Sequence, residues 1–144
     1  MEAHYLTTGP EILADSVGHM DVLVAGVGSG SSITGTGRFL KENIPGFKVM
    51  AVEPAESPVL SGGQAGQHGI QGIGANFVPS ILDRGLLDEI IQVPTEEAMD
   101  MARRLMHLQG VCAGISTGAN VLAALSVAAR PEMRGKNIVT FACD

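Results

Sequence analysis

Residues Val22–Ala25 form an uninterrupted apolar run that empties into Gly26-Val-Gly-Ser-Gly-Ser-Ser32. A strand with one solvated face would alternate, so a continuous run reads as a strand buried on both faces. Such a strand needs helices on either side of its sheet. The loop leads directly into one, because Ile33, Leu40 and Ile44 fall on one helical face and the pattern runs to about Asn43. Glycines in the turn let backbone N–H groups approach an anion, and the new helix directs its positive end to the same place. The feature therefore predicts an α/β unit with an anion cradle at the carboxyl end of a buried strand.

The remaining sequence continues the alternation. A turn at Thr7-Thr-Gly-Pro10 precedes a short helix, Glu11–Ser16, opened by Pro10. The first strand covers Asp21–Gly26, and Ser31 or Ser32 caps the helix after it. Pro45-Gly46 ends that helix, and Phe47–Val52 is a second buried strand closed by Glu53-Pro54. A glycine-rich passage, Ser61–Gly74, is too glycine-rich for a regular element. Asp88–Val93 is a third strand. Thr95 caps a helix whose apolar face is Ala98, Met101, Ala102, Leu105 and Leu108; Glu96 and Glu97 suit its first turn, and Gly110 ends it. A short apolar run, Val111–Ile115, leads to an Ala-rich helix capped by Ser116 or Thr117 and ending at Arg130-Pro131. Asn137–Ala142 is the last strand. The order predicts an α/β fold with a mostly parallel sheet and flanking helices, without an internal repeat or domain boundary.

Aromatic residues make up only 3% of the chain, so the core must be aliphatic. A net charge of −6 argues against nucleic acid as a partner, which needs clustered Lys and Arg. No stretch approaches a membrane span and no leader pattern is present, so no membrane role and a cytoplasmic setting are expected. Cys112 and Cys143 lie in apolar segments without CxxC spacing and read as buried thiols. His4, His19, His68 and His107 show no metal spacing and read as surface residues; no metal site is expected.

Several ligands could own the Gly/Ser loop. The dinucleotide fingerprint G-x-G-x-x-G fails in both registers, because Ser31 or Ile33 stands where its third glycine should be, although Glu53 mimics the ribose-binding acid. A Walker loop needs a Gly-Lys-Ser/Thr that is absent. A phosphate cup, Gly28-Ser-Gly-Ser-Ser32, would surround a monoester with amides and hydroxyls. A plain strand–helix turn needs no ligand at all. Ser116, in Gly114-Ile-Ser-Thr-Gly118, reads either as an ordinary helix cap or as a hydrogen-bond partner of a cofactor ring nitrogen. A neutral hydroxyl there leaves a pyridine nitrogen largely unprotonated.

Several segments together resemble one family. They are His4-Tyr-Leu-Thr-Thr-Gly-Pro-Glu-Ile12, Gly26–Leu40, Val52-Glu-Pro54, Leu60-Ser-Gly-Gly63, Ile70-Gln-Gly-Ile-Gly-Ala-Asn-Phe-Val-Pro79 and Gly114-Ile-Ser-Thr-Gly-Ala119. In family order and over nearly the whole chain, they look like the C-terminal half of O-acetylserine sulfhydrylase (cysteine synthase). This is a member of the β-family of pyridoxal-phosphate enzymes, with cystathionine β-synthase and β-cyanoalanine synthase. The resemblance implies part of the large domain of the tryptophan-synthase-β-like fold. It also implies a cofactor, pyridoxal phosphate, and a small amino-acid substrate undergoing β-replacement.

Carried over by residue, the family's phosphate loop Gly-Thr-Gly-Gly-Thr falls on Gly28, Ser29, Gly30, Ser31 and Ser32. Ser31 replaces a glycine, which crowds the phosphate or strains the backbone if φ there is positive. The pyridine-nitrogen ligand falls on Ser116 and the glycine near the cofactor on Gly72, while Asn76 replaces a loop glycine. The family's cofactor-bearing lysine, and its Ser-Gly-Asn-Thr-Gly type substrate loop, lie in an N-terminal half not found among residues 1–144. A Gly-Glu-Arg-Tyr-like segment after the last strand is missing too. Lys41, Lys48 and Lys136 match no family motif, so no catalytic residue is assigned. The resemblance thus implies a truncated, partial domain that is inactive alone. The alternative is a non-catalytic phosphate-ligand-binding or regulatory module. Such a module would form a homodimer or pair with a full-length homologue through an exposed sheet edge.

Overall fold

The computed structural model describes all 144 residues. Four strands, β1 (Val22–Gly26), β2 (Lys48–Pro54), β3 (Glu89–Val93) and β4 (Ile138–Thr140), form one sheet in the order β3-β2-β1-β4. Every pairing is parallel: Val22 stands opposite Lys48 and Ile138, and Met50 opposite Glu89. The helices are α1 (Gly9–Asp15), α2 (Ser31–Asn43), α3 (Thr95–Gln109) and α4 (Ile115–Ala128). Alternate residues of the apolar strands face opposite cores, as the pleat requires. Val22, Val24, Met50 and Val52 pack on one face with Ala119, Ala123 and Val127 of α4. Leu23, Ala25, Val49 and Ala51 pack on the other with Ile33 and Leu40 of α2. The expected α/β architecture is therefore present, with each strand within two residues of its predicted start. No helix is long and apolar enough to cross a membrane.

The helix starts differ from expectation. The N-cap of α2 is Gly30, at φ 82°, not Ser31 or Ser32. A Cβ on Gly30 would lie 2.9 Å from that of Leu82, so both the backbone angle and the space require glycine. Pro94 precedes α3, and the Thr95 N–H donates to the Glu56 carboxylate at 2.8 Å, a cap supplied from 39 residues away. Gly114 caps α4, placing Ser116 and Thr117 inside its first turn. Residues Thr7–Pro10 are not a turn, because a π-helical segment at His4–Thr8 runs straight into α1. Pro10, which has no N–H to donate, stands where the π-helical turn gives way to α1, directly after the Gly9 N–H bonds the His4 carbonyl.

Three expectations of burial fail. Val111–Ala113 join no strand, and β4 is only three residues long, so Cys112 and Cys143 are both exposed rather than buried. The apolar face of α3 is buried only at Ala98 and Met101; Leu108 is 69% exposed because nothing covers the helix's last turn. His68 is half-buried rather than on the surface. Its Nδ1 accepts from the Ile70 N–H at 3.2 Å, so Nε2 carries the proton donated to the Gly74 carbonyl at 2.7 Å.

Ion pairs tie the strand starts to the helix layer. Arg130, after α4, grips both oxygens of Glu89 at 2.7 Å. Lys136 meets Asp21 at 2.9 Å. The Arg130 guanidinium holds the Glu89 carboxyl below the usual range, and Lys136, with the Asn137 N–H, does the same for Asp21. Carboxyls depressed in the folded state contribute stability that is present above the unfolded value, about pH 4, and lost as pH falls through the folded one. The thermal midpoint should therefore be flat from pH 7 to 5 and fall below about pH 4. Arg130→Gln should flatten that acid limb, measurable by circular dichroism melts across the pH series.

Candidate functional site

The crossover from β1 to β2 carries α2 on one side of the sheet, whereas β4 lies on the other side of β1 and follows α4. Connections therefore leave the neighbourhood of β1 in opposite directions, and the crevice beyond its carboxyl end is where open α/β sheets bind ligands. Four predicted segments meet there.

The first is the Gly/Ser loop. The Val27 N–H still pairs with the Val52 carbonyl at 3.1 Å, but the N–H groups of Gly28, Ser29 and Gly30 donate to no group in the chain. Neither do those of Ser32 and Ile33 in the first turn of α2, as expected at a helix start. Ser31 donates its N–H to the Ser29 hydroxyl at 3.3 Å, and the two hydroxyls lie 3.0 Å apart. Ser31 is the first helical residue and has no positive φ, so serine in place of glycine there strains nothing.

The second segment closes one wall. Gly72, at φ 89° with open space around its Cα, brings its carbonyl against Gly28 so closely that a Cβ on Gly28 would collide with it. The Gly74 N–H donates to the Val27 carbonyl at 3.0 Å, holding the two loops together. Asn76 keeps φ at 63°, a left-handed angle that asparagine tolerates better than most residues, so it substitutes for glycine without refolding the loop.

The third segment is the start of α4. Asn120 accepts the Gly26 N–H at 2.7 Å and donates to the Phe141 carbonyl at 3.0 Å, locking α4 to the ends of β1 and β4. Ser116 lies four residues before Asn120, about 6 Å nearer the N-terminal end of α4. It is 7% exposed, yet its hydroxyl makes no hydrogen bond within the chain. Thr117 instead donates to the Cys143 carbonyl at 2.5 Å. Asn120 was missed in the sequence. The signal was available: one amide side chain in an otherwise alanine-rich helix, one turn beyond Ser116.

The fourth segment removes a competing reading. Glu53 is 1% exposed and accepts from the Leu60 N–H at 2.7 Å, the Ser61 N–H at 3.2 Å and the Ser61 hydroxyl at 2.5 Å. Its carboxylate is engaged in shaping the turn after β2 and does not face a ribose.

No lysine is at this site. Lys48 begins β2, Lys41 in the last turn of α2 meets Asp88 at 2.7 Å, and Lys136 meets Asp21. All three ammonium groups lie at the end of the sheet where strands begin. No cluster of His, Cys, Asp and Glu suited to a metal ion is present.

The donors at this end of the sheet have the chemistry to bind a phosphate monoester and one ring acceptor. Five free N–H groups, the positive end of α2 and the hydroxyls of Ser29, Ser31 and Ser32 suit a dianion without any basic side chain. The unpartnered hydroxyl of Ser116 suits a ring nitrogen.

All of residues 1–144 match the family model for pyridoxal-phosphate dependent enzymes. The chain is 51% identical over 138 residues to cysteine synthase 3 of Caenorhabditis elegans, covering 96% of this chain and 41% of that protein. It is 45% identical over 140 residues to a cysteine synthase of Staphylococcus aureus, covering 96% of this chain and 45% of that protein. The crystal structure of O-acetyl serine sulfhydrylase isoform 3 from Entamoeba histolytica superposes with a TM-score of 0.97 at 45% identity. That match covers 99% of this chain and 42% of the other. The chain thus spans less than half the length of these relatives.

Proposed function

The chain belongs to the family of pyridoxal-phosphate dependent enzymes, and from that premise we propose that it provides the phosphate anchor and ring-nitrogen ligand of a cysteine-synthase-type site. In this reading Gly28, Ser29, Gly30, Ser31 and Ser32 bind the phosphate, Gly72 forms the facing wall, and Ser116 hydrogen-bonds the ring nitrogen. The family's cofactor supplies an electron sink for chemistry at an amino-acid substrate. This chain's residues bind and orient it. The glycines admit the phosphate to the backbone amides, and the Ser116 hydroxyl meets the ring nitrogen without placing a charge there. The reaction served is replacement of the acetate of O-acetylserine by sulfide to give cysteine.

The observation that carries the reading is a set of five free N–H groups in the Gly28–Ile33 segment together with the unpartnered Ser116 hydroxyl, which reaches solvent from an otherwise buried residue at the start of α4. The location of the lysines adds a second part to the proposal. With all three at the opposite end of the sheet, the covalent anchor comes from polypeptide outside these residues, and the 144 residues alone are inactive. Titration of the purified chain with pyridoxal phosphate should give saturable changes in cofactor absorbance and fluorescence. Borohydride treatment at stoichiometric cofactor should then leave Lys41, Lys48 and Lys136 unmodified in a peptide map, and O-acetylserine with sulfide should yield no cysteine. Absence of saturable binding would overturn the site assignment. Cysteine formation or a reduced adduct on one of the three lysines would overturn the inactivity.

A second reading is favoured by β4, a three-residue edge strand with its outer backbone unpaired and its residues only half-buried. In it the chain is a non-catalytic module that pairs with a full-length homologue along this edge. Light scattering of the chain mixed with a full-length relative decides between a 1:1 complex and two separate species.

A further inference from the structure

We infer that Ser57 and Asn76 form a clamp that sets the position of the 70–76 loop against the anion loop. The inference deepens the cofactor-site reading and rests on it for its consequence. At φ 63° a glycine would serve Asn76's backbone at no cost, so the backbone alone does not explain an asparagine. What asparagine adds is its side-chain amide. Oδ1 accepts the Ser57 hydroxyl at 2.7 Å. Ser57 is 1% exposed and stands in the turn directly after β2, its own N–H bonded to the Pro54 carbonyl at 3.0 Å. The clamp therefore fastens the loop to the rigid end of the sheet, at a point two residues beyond the Gly74–Val27 bond. Without it, the polar ties of the wall's far end are that single bond and the His68 ring, while Ile70 and Ile73 keep the loop's near part in the core.

The wall matters because the Gly72 carbonyl lies against Gly28. A loop free to shift inward would crowd Gly28 and turn a carbonyl dipole toward a bound dianion. A loop free to shift outward would widen the cup. Asn76 and Ser57 are thus positioning residues for the phosphate, acting through Gly72 and touching no ligand.

The Gly74 amide, bonded to the Val27 carbonyl, reports on the loop and can be followed by hydrogen exchange in the absence of any ligand. Asn76→Gly removes the acceptor while keeping the backbone angle, and Ser57→Ala removes the donor. Each should accelerate Gly74 exchange about fivefold, the factor carried by one net hydrogen bond, and the double variant should exchange no faster than either single one. Asn76→Asp keeps both an acceptor oxygen and a tolerated left-handed angle, and should restore the wild-type rate. Affinity for pyridoxal phosphate in Asn76→Gly should fall by a similar factor with the global unfolding midpoint unchanged. Unaltered Gly74 exchange in Asn76→Gly, or additive effects in the double variant, would overturn the clamp. Faster exchange with unchanged cofactor affinity would overturn its positioning role. A wild-type chain that binds no cofactor sinks the site reading and the positioning role together, while the exchange rates still decide whether the clamp exists.

Discussion

Gly28→Ala is expected to lower affinity for pyridoxal phosphate about 100-fold while leaving the chain folded. A Cβ at residue 28 collides with the Gly72 carbonyl, a backbone atom that has no rotamer to yield. Either the anion loop or the 70–76 wall must move. The wall is fixed by the Gly74–Val27 bond, the His68–Gly74 bond and the Ser57–Asn76 bond. The loop is fixed only at its ends, by β1 and by α2, so the loop gives way. Displacing it misaims the N–H groups of Gly28, Ser29 and Gly30. Hydrogen bonds to a charged group are worth about 1.5–3 kcal/mol each, so losing two accounts for about two orders of magnitude. The cost in stability should be modest, about 1–2 kcal/mol, because the loop lies outside both cores. Fluorescence titration gives the affinity and a circular dichroism melt gives the stability. An alanine variant that binds as tightly as wild type would show that the cup does not use these amides.

Gly118→Ala should destabilise the chain by about 3 kcal/mol. Gly118 lies in the first half of α4, where α3 crosses at close range. A Cβ there would run into the Ala98 carbonyl and stand 2.8 Å from the Ala102 nitrogen and 3.1 Å from its Cβ. Both obstacles are helix backbone, so the added methyl must drive α3 and α4 apart. Overpacking of this kind costs about 1–3 kcal/mol, and the involvement of main-chain atoms places this case at the upper end. For a chain of this length that corresponds to a thermal midpoint lower by about 6–12 °C. The separation also rotates the start of α4, which carries Ser116, so cofactor affinity should fall in parallel. A variant that melts within about 1 °C of wild type would mean that the helix pair is looser than its geometry indicates.

The sheet and both helical layers were legible because buried parallel strands write themselves as continuous apolar runs. Val22–Ala25 and Val49–Val52 are such runs, each short and bounded by turn residues, and all eight residues are buried. The anion loop was legible for the same local reason, since its glycines and serines are consecutive. What escaped the sequence depends on partners far along the chain. The Gly26–Asn120 hydrogen bond joins residues 94 apart, and the cap of α3 comes from Glu56. Glu53 carries the same residue type and position as a ribose ligand, and only the fold of residues 55–61 shows it bonded to Leu60 and Ser61. The cysteines are exposed although their neighbours are apolar, because an apolar segment is buried only where another element covers it. Val111–Ala113 have the composition of a strand without a partner to pair with.

The segregation of the lysines has a practical side. Lys41, Lys48 and Lys136 sit together at the end of the sheet where strands begin, and the anion loop sits at the other. A chain biotinylated on its lysines is therefore tethered upside down with respect to the crevice. On a sensor surface it presents the Gly28–Ser32 loop to the flowing solution, already oriented for whatever phosphorylated compound is passed over it.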